Sequence, residues 1–485
     1  MIAALNDLLW SKILIFVLIP LGLWFTVRSG FVQFRFFGRM FSIFGDAFQH
    51  ESDKPTSFQA LALSIAGRVG AGNIAGVAVA ITLGGPGAVF WMWVVGLLGM
   101  ATSFFECTIA QLYKQLEPDG NFRGGPAFYI RRGLGKRFGG AAGIMAGVYS
   151  ILLLVAFGIS FNILQSYAAS ASIEGAFGVP PIATGAVLAI LTGIVIFGGI
   201  GRIASVVEIV VPVMAVSYIA LALFIVITRA ADLPGVFSLI VTSAFGLNEA
   251  IAGGIGGAIM LGVQRGLFSN EAGLGSAPNV AAVAYVPHPA NQGMVQALSV
   301  FIDTAIICTC TASIILLSGV DFMDEAADGV ILTQAALDDH VGAWADDFIA
   351  VALLLFVFSS IMYNYFLGET ALDFFFNDDK RVFNIFKVVT LGLVLFGSTR
   401  DLASAFGFAN AGMGLLALFN LFALVLLFPI GLRVMKDFDR QLKQGLDPVF
   451  DPKDFADLEI DEKAWAYEDK EQALLEKKRS VEAGL

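Results

Sequence analysis

Residues 66–81 read AGRVGAGNIAGVAVAI. The stretch is apolar enough to enter a membrane, yet Gly70, Gly72 and Gly76 interrupt it, and Arg68 and Asn73 sit in the same few turns. Hydrocarbon offers no water to backbone N–H and C=O groups freed by a break. Such a break is tolerated only where it is buried in protein or faces a small polar cavity. The pattern therefore predicts an unwound joint at Val69–Asn73 between two half-helices. A second joint is expected far downstream, in QRGLFSNEAGLGS (264–276). Two interrupted apolar segments at corresponding places in two halves of a chain point to the binding site of a secondary transporter.

The composition agrees. Of 485 residues, 57% are hydrophobic and 14% charged, against roughly 25% charged in soluble domains. This is the composition of a polytopic all-α membrane protein. The formal charge of −11 is concentrated: residues 437–485 hold 14 acidic and 8 basic side chains, and 319–345 hold 6 acidic and no Lys or Arg. The remainder is nearly neutral, which argues against a nucleic-acid partner. Cys107, Cys308 and Cys310 fall in apolar runs and read as small core residues. The three histidines, His50, His288 and His340, are scattered. The first apolar run reads as a retained span, since no basic leader with a small-residue cleavage site precedes it.

A span needs about 20 mostly apolar residues. About eleven candidates emerge: 9–30, 58–82, 87–113, 139–170, 181–200, 203–228, 247–285 (long and broken), 292–318, 346–369, 382–398 and 402–433. Gly84–Gly85–Pro86–Gly87 reads as a tight turn. Lys and Arg alternate with the connections: Arg35, Arg39 and Lys54; Lys114, Arg123, Arg131, Arg132, Lys136 and Arg137; Arg202; Lys380 and Arg381; Arg433, Lys436 and Arg440. Eleven spans put all of these in the cytoplasm, with the N-terminus outside and the C-terminus inside. Spans two to six and seven to eleven then form a 5+5 inverted repeat, each half opening on a broken helix. The expected organisation is a peripheral N-terminal helix and connection (1–57), a first repeat (58–245), a second repeat (246–435) and a charged, solvated cytoplasmic tail (436–485) with helix-like pieces such as KEQALLEKKRS.

At the first joint, carbonyls between Ala66 and Val69 lose their helical partners and carry a negative dipole end suited to a small cation. The trailing half-helix begins near Gly72, Asn73 and Ile74 with free N–H groups suited to a carboxylate. Gly70, Gly72 and Asn73 at the joint are candidate substrate contacts, and a zwitterionic amino acid travelling with Na⁺ satisfies both ends. Close helix packing on glycine is the plainer alternative. Gly70-x-Gly72-x-x-Ala75 also fits a dinucleotide fingerprint, but no strand or βαβ unit surrounds it. At the second joint Phe268 lines or lids a small pocket, and Ser269 and Asn270 offer bonds to an amine or cation. Glu271 either contacts substrate or pairs with Arg68 or Arg265 to hold the joint. Glu106 is placed to accept from N–H groups freed at a break. Asn162 and Gln165, at i and i+3, either line the pocket or bond a neighbouring helix. Asp303 and Thr304 offer oxygens to a hard cation. Ser359 and Ser360 either complete a Na⁺ shell or bond back to their own carbonyls. The spans contain no nucleophilic-catalysis set, and the chain reads as a transporter, not an enzyme.

VGAGNIAGVAVAI (69–81), GGPGAVFWMWVVGLLGMAT (84–102), FRGGPAFYI (122–130) and RGLFSNEAGLGSAP (265–278) closely resemble the alanine-or-glycine:cation symporter family over residues 1 to about 435. The resemblance implies a LeuT-type fold with one extra N-terminal helix, and Na⁺- or sometimes H⁺-driven import of alanine, glycine or similar amino acids through the plasma membrane. It places the substrate carboxylate at Ala71, Gly72 and Asn73. It builds a Na⁺ site from the carbonyls of Ala66 and Val69 with Ser359 and Ser360, and puts a second cation near Asn73 and Asp303. Ala71 stands where many members carry threonine, which leaves that position its backbone role. Neither an organic cofactor nor an obligate protein partner is implied. The readings that compete are proton coupling through Glu271 or Asp303, a channel, and a non-transporting sensor. A channel should show a continuous polar face, and a sensor an output domain.

Overall fold

The computed structural model describes residues 2–46, 56–118, 120–247, 254–322, 329–342 and 344–466. His50, Lys54 and the KEQALLEKKRS stretch lie outside them. Among the described residues seven helices are long and apolar enough to cross a membrane, eight if the bent pair at the first joint is one span, and shorter helices fall along the other expected spans and connections. In chain order these are α1 (Ile2–Arg28), α2 (Ser57–Arg68), α3 (Gly72–Gly84), α4 (Gly87–Leu112), α5 (Gly140–Phe177), α6 (Pro181–Ile196) and α7 (Gly199–Thr228). They continue with α8 (Leu233–Ala244), α9 (Gly254–Asn270), α10 (Ser276–Ala281), α11 (Pro289–Leu317), α12 (Gly329–Val341), α13 (Trp344–Phe376), α14 (Lys380–Gly397) and α15 (Leu402–Lys443).

The predicted break is present. Thr56 and Gln59 close a reciprocal capping box that starts α2, because the two side chains satisfy N–H groups with no helical acceptor. The helix stops at Arg68, where Val69 turns extended (φ −90°, ψ 105°). The chain restarts at Gly72 as a wide π-type turn and runs on to Gly84, bent by 49° from α2. Gly85 then takes φ +74° and Ala88 N–H donates to its carbonyl at 3.0 Å, which makes the glycine-rich turn into α4. The second break separates α9 from α10, with Glu271, Gly273 and Gly275 all at positive φ.

The polarity is inverted relative to a soluble protein. Ile190, Ile194, Ile209, Ile227 and Ile385 are well exposed on α6, α7 and α14, while Arg68, Asn73, Glu106, Glu271 and Asp303 are buried. Apolar side chains outside and ionisable ones inside suit a bilayer as solvent. α4 lies at the centre, packed on α9, α11 and α15, and α2 is clasped by α7 and α13.

Two elements differ from expectation. The acidic 319–345 connection contains α12, whose Val330, Leu332, Thr333, Ala336 and Leu337 are buried. It lies against the first joint, with Thr333 Oγ1 donating to the Ile74 carbonyl at 3.4 Å. Its short apolar stripe is masked in the sequence by surrounding acidic residues. The segment after residue 436 is not simply solvated. α15 continues to Lys443, and Phe450, Phe455 and Trp465 are buried at one end of the bundle. Phe450 N–H donates to the Pro287 carbonyl at 3.0 Å, Arg433 pairs with Asp457 at 2.8 Å, and the Lys114 ammonium lies 4.4 Å from the Trp465 ring.

Gly262 tests the packing of α9 on α4. A Cβ there would sit 2.5 Å from both the Ala88 carbonyl oxygen and Trp91 Cβ, whereas Gly257 on the same helix has nothing within 4 Å. Gly262→Ala is expected to destabilise by about 1–3 kcal/mol through overpacking. Gly257→Ala gains up to about 1 kcal/mol of helix propensity. Unfolding temperatures of the two purified variants should move in opposite directions.

Candidate functional site

The site forms where the two joints meet α5, α11 and α13. At the first joint the Ala66 and Val69 carbonyls, freed by the break, point at one hydroxyl. Ser360 Oγ on α13 donates to Ala66 O at 2.6 Å and lies 3.4 Å from Val69 O and 2.9 Å from its own Phe356 O. Ser359 differs: its hydroxyl donates to Phe356 O at 2.9 Å and faces Met214, away from the joint. Adjacent residues of a helix diverge by about 100°, so only one of the pair reaches the carbonyls. Gly70 makes the approach possible, since a Cβ there would meet Ser360 Oγ at 2.8 Å.

Two N–H groups of the joint are held by side chains, and Asn73 N–H donates to the Gly70 carbonyl at 3.2 Å. Gly70 N–H donates to Asn73 Oδ1 at 3.0 Å and Ala71 N–H to Gln165 Oε1 at 3.3 Å. Gln165 is thus brought onto the joint. Asn162 is not: its Nδ2 donates back to the Gly158 carbonyl at 2.9 Å, and its Oδ1 is buried with no partner. Phe268 covers Gly72, where an added Cβ would meet the ring at 2.9 Å. Its ring stacks on Phe161 (centroids 5.2 Å) and lies 5.5 Å from Phe406, so the pocket wall is aromatic.

Ser269 and Asn270 turn toward α11. Ser269 Oγ donates to Asp303 Oδ2 at 2.7 Å, and Asn270 Nδ2 to Thr304 Oγ1 at 3.2 Å. Asn73 Nδ2 faces the same cluster, 2.6 Å from Asp303 Oδ1 and 2.8 Å from Ser269 Oγ, with Cys308 Sγ at 3.3 Å. Three helices thereby place the Asn73 amide nitrogen and the Ser269 and Thr304 hydroxyls around the buried Asp303 carboxylate. Cys308, which the sequence suggested only as a core residue, belongs to this cluster.

Neither arginine pairs with Glu271 among the described residues. Glu271 accepts from Ser276 Oγ at 2.5 Å and Tyr363 Oη at 2.7 Å, tying the second joint to α13. Arg68 serves the joint through neutral acceptors: Nε donates to Asn270 O at 2.7 Å, Nη2 to Ser103 Oγ at 3.1 Å, and Nη1 to Gln296 Oε1 at 3.2 Å and to Ser299 Oγ. Glu106 does accept from the break, taking Gly273 N–H at 3.1 Å and Asn420 Nδ2 at 3.0 Å. Asn420 also donates to Gly273 O at 2.8 Å, and Tyr149 Oη to Gly275 O at 2.9 Å. Ser276 ends the stretch quoted for the second joint, but Tyr363, Tyr149 and Asn420 carried no local sequence signal, because each is an ordinary residue of an ordinary helix until the fold apposes it to a break. The arrangement offers a small cation freed carbonyls and a hydroxyl, and offers an anion backbone N–H groups a few ångströms away.

Comparison with known proteins gives a consistent result. Residues 1–452 match the model of the sodium:alanine symporter family. The chain is 49% identical to the amino-acid carrier protein AlsT of Bacillus subtilis (strain 168), over 96% of this chain and 97% of the relative. It is 45% identical to the probable sodium/glutamine symporter GlnT of the same organism, over 92% and 91%. Among solved structures, MhsT in complex with L-phenylalanine superposes with a TM-score of 0.52 at 15% identity, covering 80% of this chain and 89% of that one. The likeness shows the LeuT-type fold.

Tyr363→Phe removes one of the two hydroxyls on Glu271 while keeping the ring. It is expected to destabilise the protein by about 1–3 kcal/mol, the cost of leaving a buried acceptor short of a partner. Ser150→Ala removes a buried hydroxyl that has no partner among the described residues and should leave the unfolding temperature unchanged or raise it. Thermal unfolding in detergent compares the two.

Proposed function

The chain belongs to the sodium:alanine symporter family, a family of membrane transporters and not of enzymes, and from that premise we propose that it imports small neutral amino acids, alanine and glycine, together with Na⁺. One observation carries the ion: the Ala66 and Val69 carbonyls converge on Ser360 of a different helix. Two freed carbonyls and a hydroxyl are oxygen ligands suited to a hard cation. With Na⁺ present the Ser360 hydroxyl turns its proton away and offers a lone pair. The ion then fastens α13 to the joint and favours the outward-open state. Ser359 plays the lesser part, since its hydroxyl faces its own helix.

The amino acid follows. Its carboxylate docks on the N–H groups of Ala71, Gly72 and Asn73, displacing the Gln165 oxygen from Ala71 N–H. Its ammonium reaches carbonyls and polar groups around residues 265–271. Phe268 packs directly against Gly72 and walls the joint on that side. A second cation at Asp303, Asn73 and Ser269 would lie beside the first. Rocking of the broken-helix bundle then exposes the load to the cytoplasm. The same reading has the chain cross a plasma membrane eleven times as a 5+5 inverted repeat, N-terminus outside and C-terminus inside. Each Na⁺ crossing 100 mV supplies about 2.3 kcal/mol, roughly 50-fold accumulation before its own gradient is counted.

A second reading is proton coupling. It is favoured by Glu271, whose carboxylate is held by two hydroxyls and no cation. Labelled alanine uptake into proteoliposomes separates the two. Under the first reading uptake is concentrative with an inward Na⁺ gradient and collapses in K⁺. Ser360→Ala raises the Na⁺ concentration for half-maximal uptake by about tenfold, in line with losing one charge-assisted contact, and Ser359→Ala changes it much less. Uptake indifferent to Na⁺ that follows an inward proton gradient would establish the second.

A further inference from the structure

Helices α1 and α15 run side by side in the same direction. Trp10 Nε1 donates to the Asn410 carbonyl at 3.2 Å near one end. Further along, the Trp24 and Phe428 rings meet with centres 4.6 Å apart. Where both helices leave their apolar stretch a cavity of about 640 Å³ opens, lined by Arg28, Arg35, Lys436, Asp439, Arg440 and Lys443 among others. That volume falls in the range of ligand pockets, roughly 300–1,000 Å³.

Five cations share one lining carboxylate. Asp439 pairs with Arg35 at 3.8 Å and with Lys443 at 3.0 Å. Arg440 reaches outside the lining to Asp437. Arg28 and Lys436 form no ion pair among the described residues. Basic residues at the ends of spans are expected of any membrane protein, but scattered ones do not build a cavity. These come from two distant segments and face one space: Arg35 Nη2 lies 3.7 Å from Met435 Sδ, 400 positions away in the chain.

The apolar side is ordered to match. Trp24 lies one turn before Arg28 on the same face of α1. Trp24 and Val27 are exposed, and Phe31 and Phe34 continue the exposed strip beyond the helix end. Phe31 holds left-handed backbone (φ +58°), rare for a bulky residue, in the turn next to Gly30 of the cavity wall. Aromatic rings followed by cations mark the level where acyl chains give way to headgroups. A basic pocket between membrane helices at that level suits an anionic headgroup.

We propose that the cavity between α1 and α15 binds one anionic glycerophospholipid, its phosphodiester against Arg28 and Lys436 and its acyl chains along Trp24, Val27 and Phe31. Arg28 and Lys436 take the phosphodiester because neither is already neutralised. Residues 467–485 of the chain hold five acidic and four basic side chains, too near neutrality to match so basic a pocket. The proposal needs only that the chain spans a bilayer and does not depend on what it carries.

Native mass spectrometry of the full chain, released from micelles of phosphatidylglycerol and phosphatidylcholine, counts the lipid retained. Wild-type protein is expected to keep one phosphatidylglycerol. The double variant Arg28→Gln/Lys436→Gln should raise the phosphatidylglycerol concentration for half-occupancy about tenfold or more. Lys380→Gln/Arg381→Gln, which removes the same charge on α14, should leave it unchanged. Phosphatidylglycerol should also raise the wild-type unfolding temperature more than phosphatidylcholine does, a measurement that stands should the pocket variant not fold. Unchanged binding in the pocket variant overturns the proposal, as does equal loss in both double variants or equal retention of the two lipids by wild type. Inorganic phosphate that stabilises wild type as well as phosphatidylglycerol does would assign the cations to a free anion and overturn the lipid. No readout involves amino-acid uptake, so failure here and failure of the proposed function are told apart.

Discussion

A backbone group freed inside a membrane has no water to turn to, and the arrangement of buried polar side chains here follows from that constraint. Each break draws partners from distant helices. Ser360, Gln165 and Asn73 serve the first. Glu106, Asn420 and Tyr149 serve the second. The joints therefore define which faces of α4, α5, α13 and α15 must meet, and Gly70 supplies the close approach one of those meetings needs. An unwound segment also has two opposite dipole ends within one short stretch, which is why the proposed cation and carboxylate contacts fall side by side.

The ionisable groups around the joints divide by how they are compensated. Arg68, Glu106, Glu271 and Asp303 sit in shells of hydroxyls, amides and backbone groups, and among the described residues none forms a direct ion pair. Neutral shells suit a carrier, because a direct ion pair in low dielectric would hold one arrangement too firmly to be exchanged for another. Glu271 and Tyr363 tie the second joint to the helix that bears Ser360, so that one helix is bonded to both joints.

Much of this was legible in the sequence for a physical reason. Apolar spans, basic connections and glycine-interrupted segments are local signals, and a membrane imposes them on any chain that crosses it. The joint at Val69–Asn73, the role of Glu106 and the glycine turn into α4 needed no tertiary information. α12 was missed because a single apolar stripe of 13 residues among acidic neighbours gives no membrane signal. The packed residues 449–466 were missed because Phe450, Phe455 and Trp465 are isolated apolar residues in a charged stretch, and only the surface waiting for them makes them core.

The sequence by itself determined that the chain is a polytopic helical membrane protein and where its two breaks fall, which are the candidate sites of the proposed function, since backbone chemistry and hydropathy act over a few turns. Only the tertiary structure decided which side chains complete those sites. Of two adjacent serines Ser360 reaches the carbonyls and Ser359 does not; of two polar residues on one face Gln165 reaches the joint and Asn162 bonds back; of two arginines Arg68 is satisfied and Arg265 is not. Each choice depends on the rotation of a helix about its axis and on what packs opposite, and those are set by contacts hundreds of residues apart in the chain.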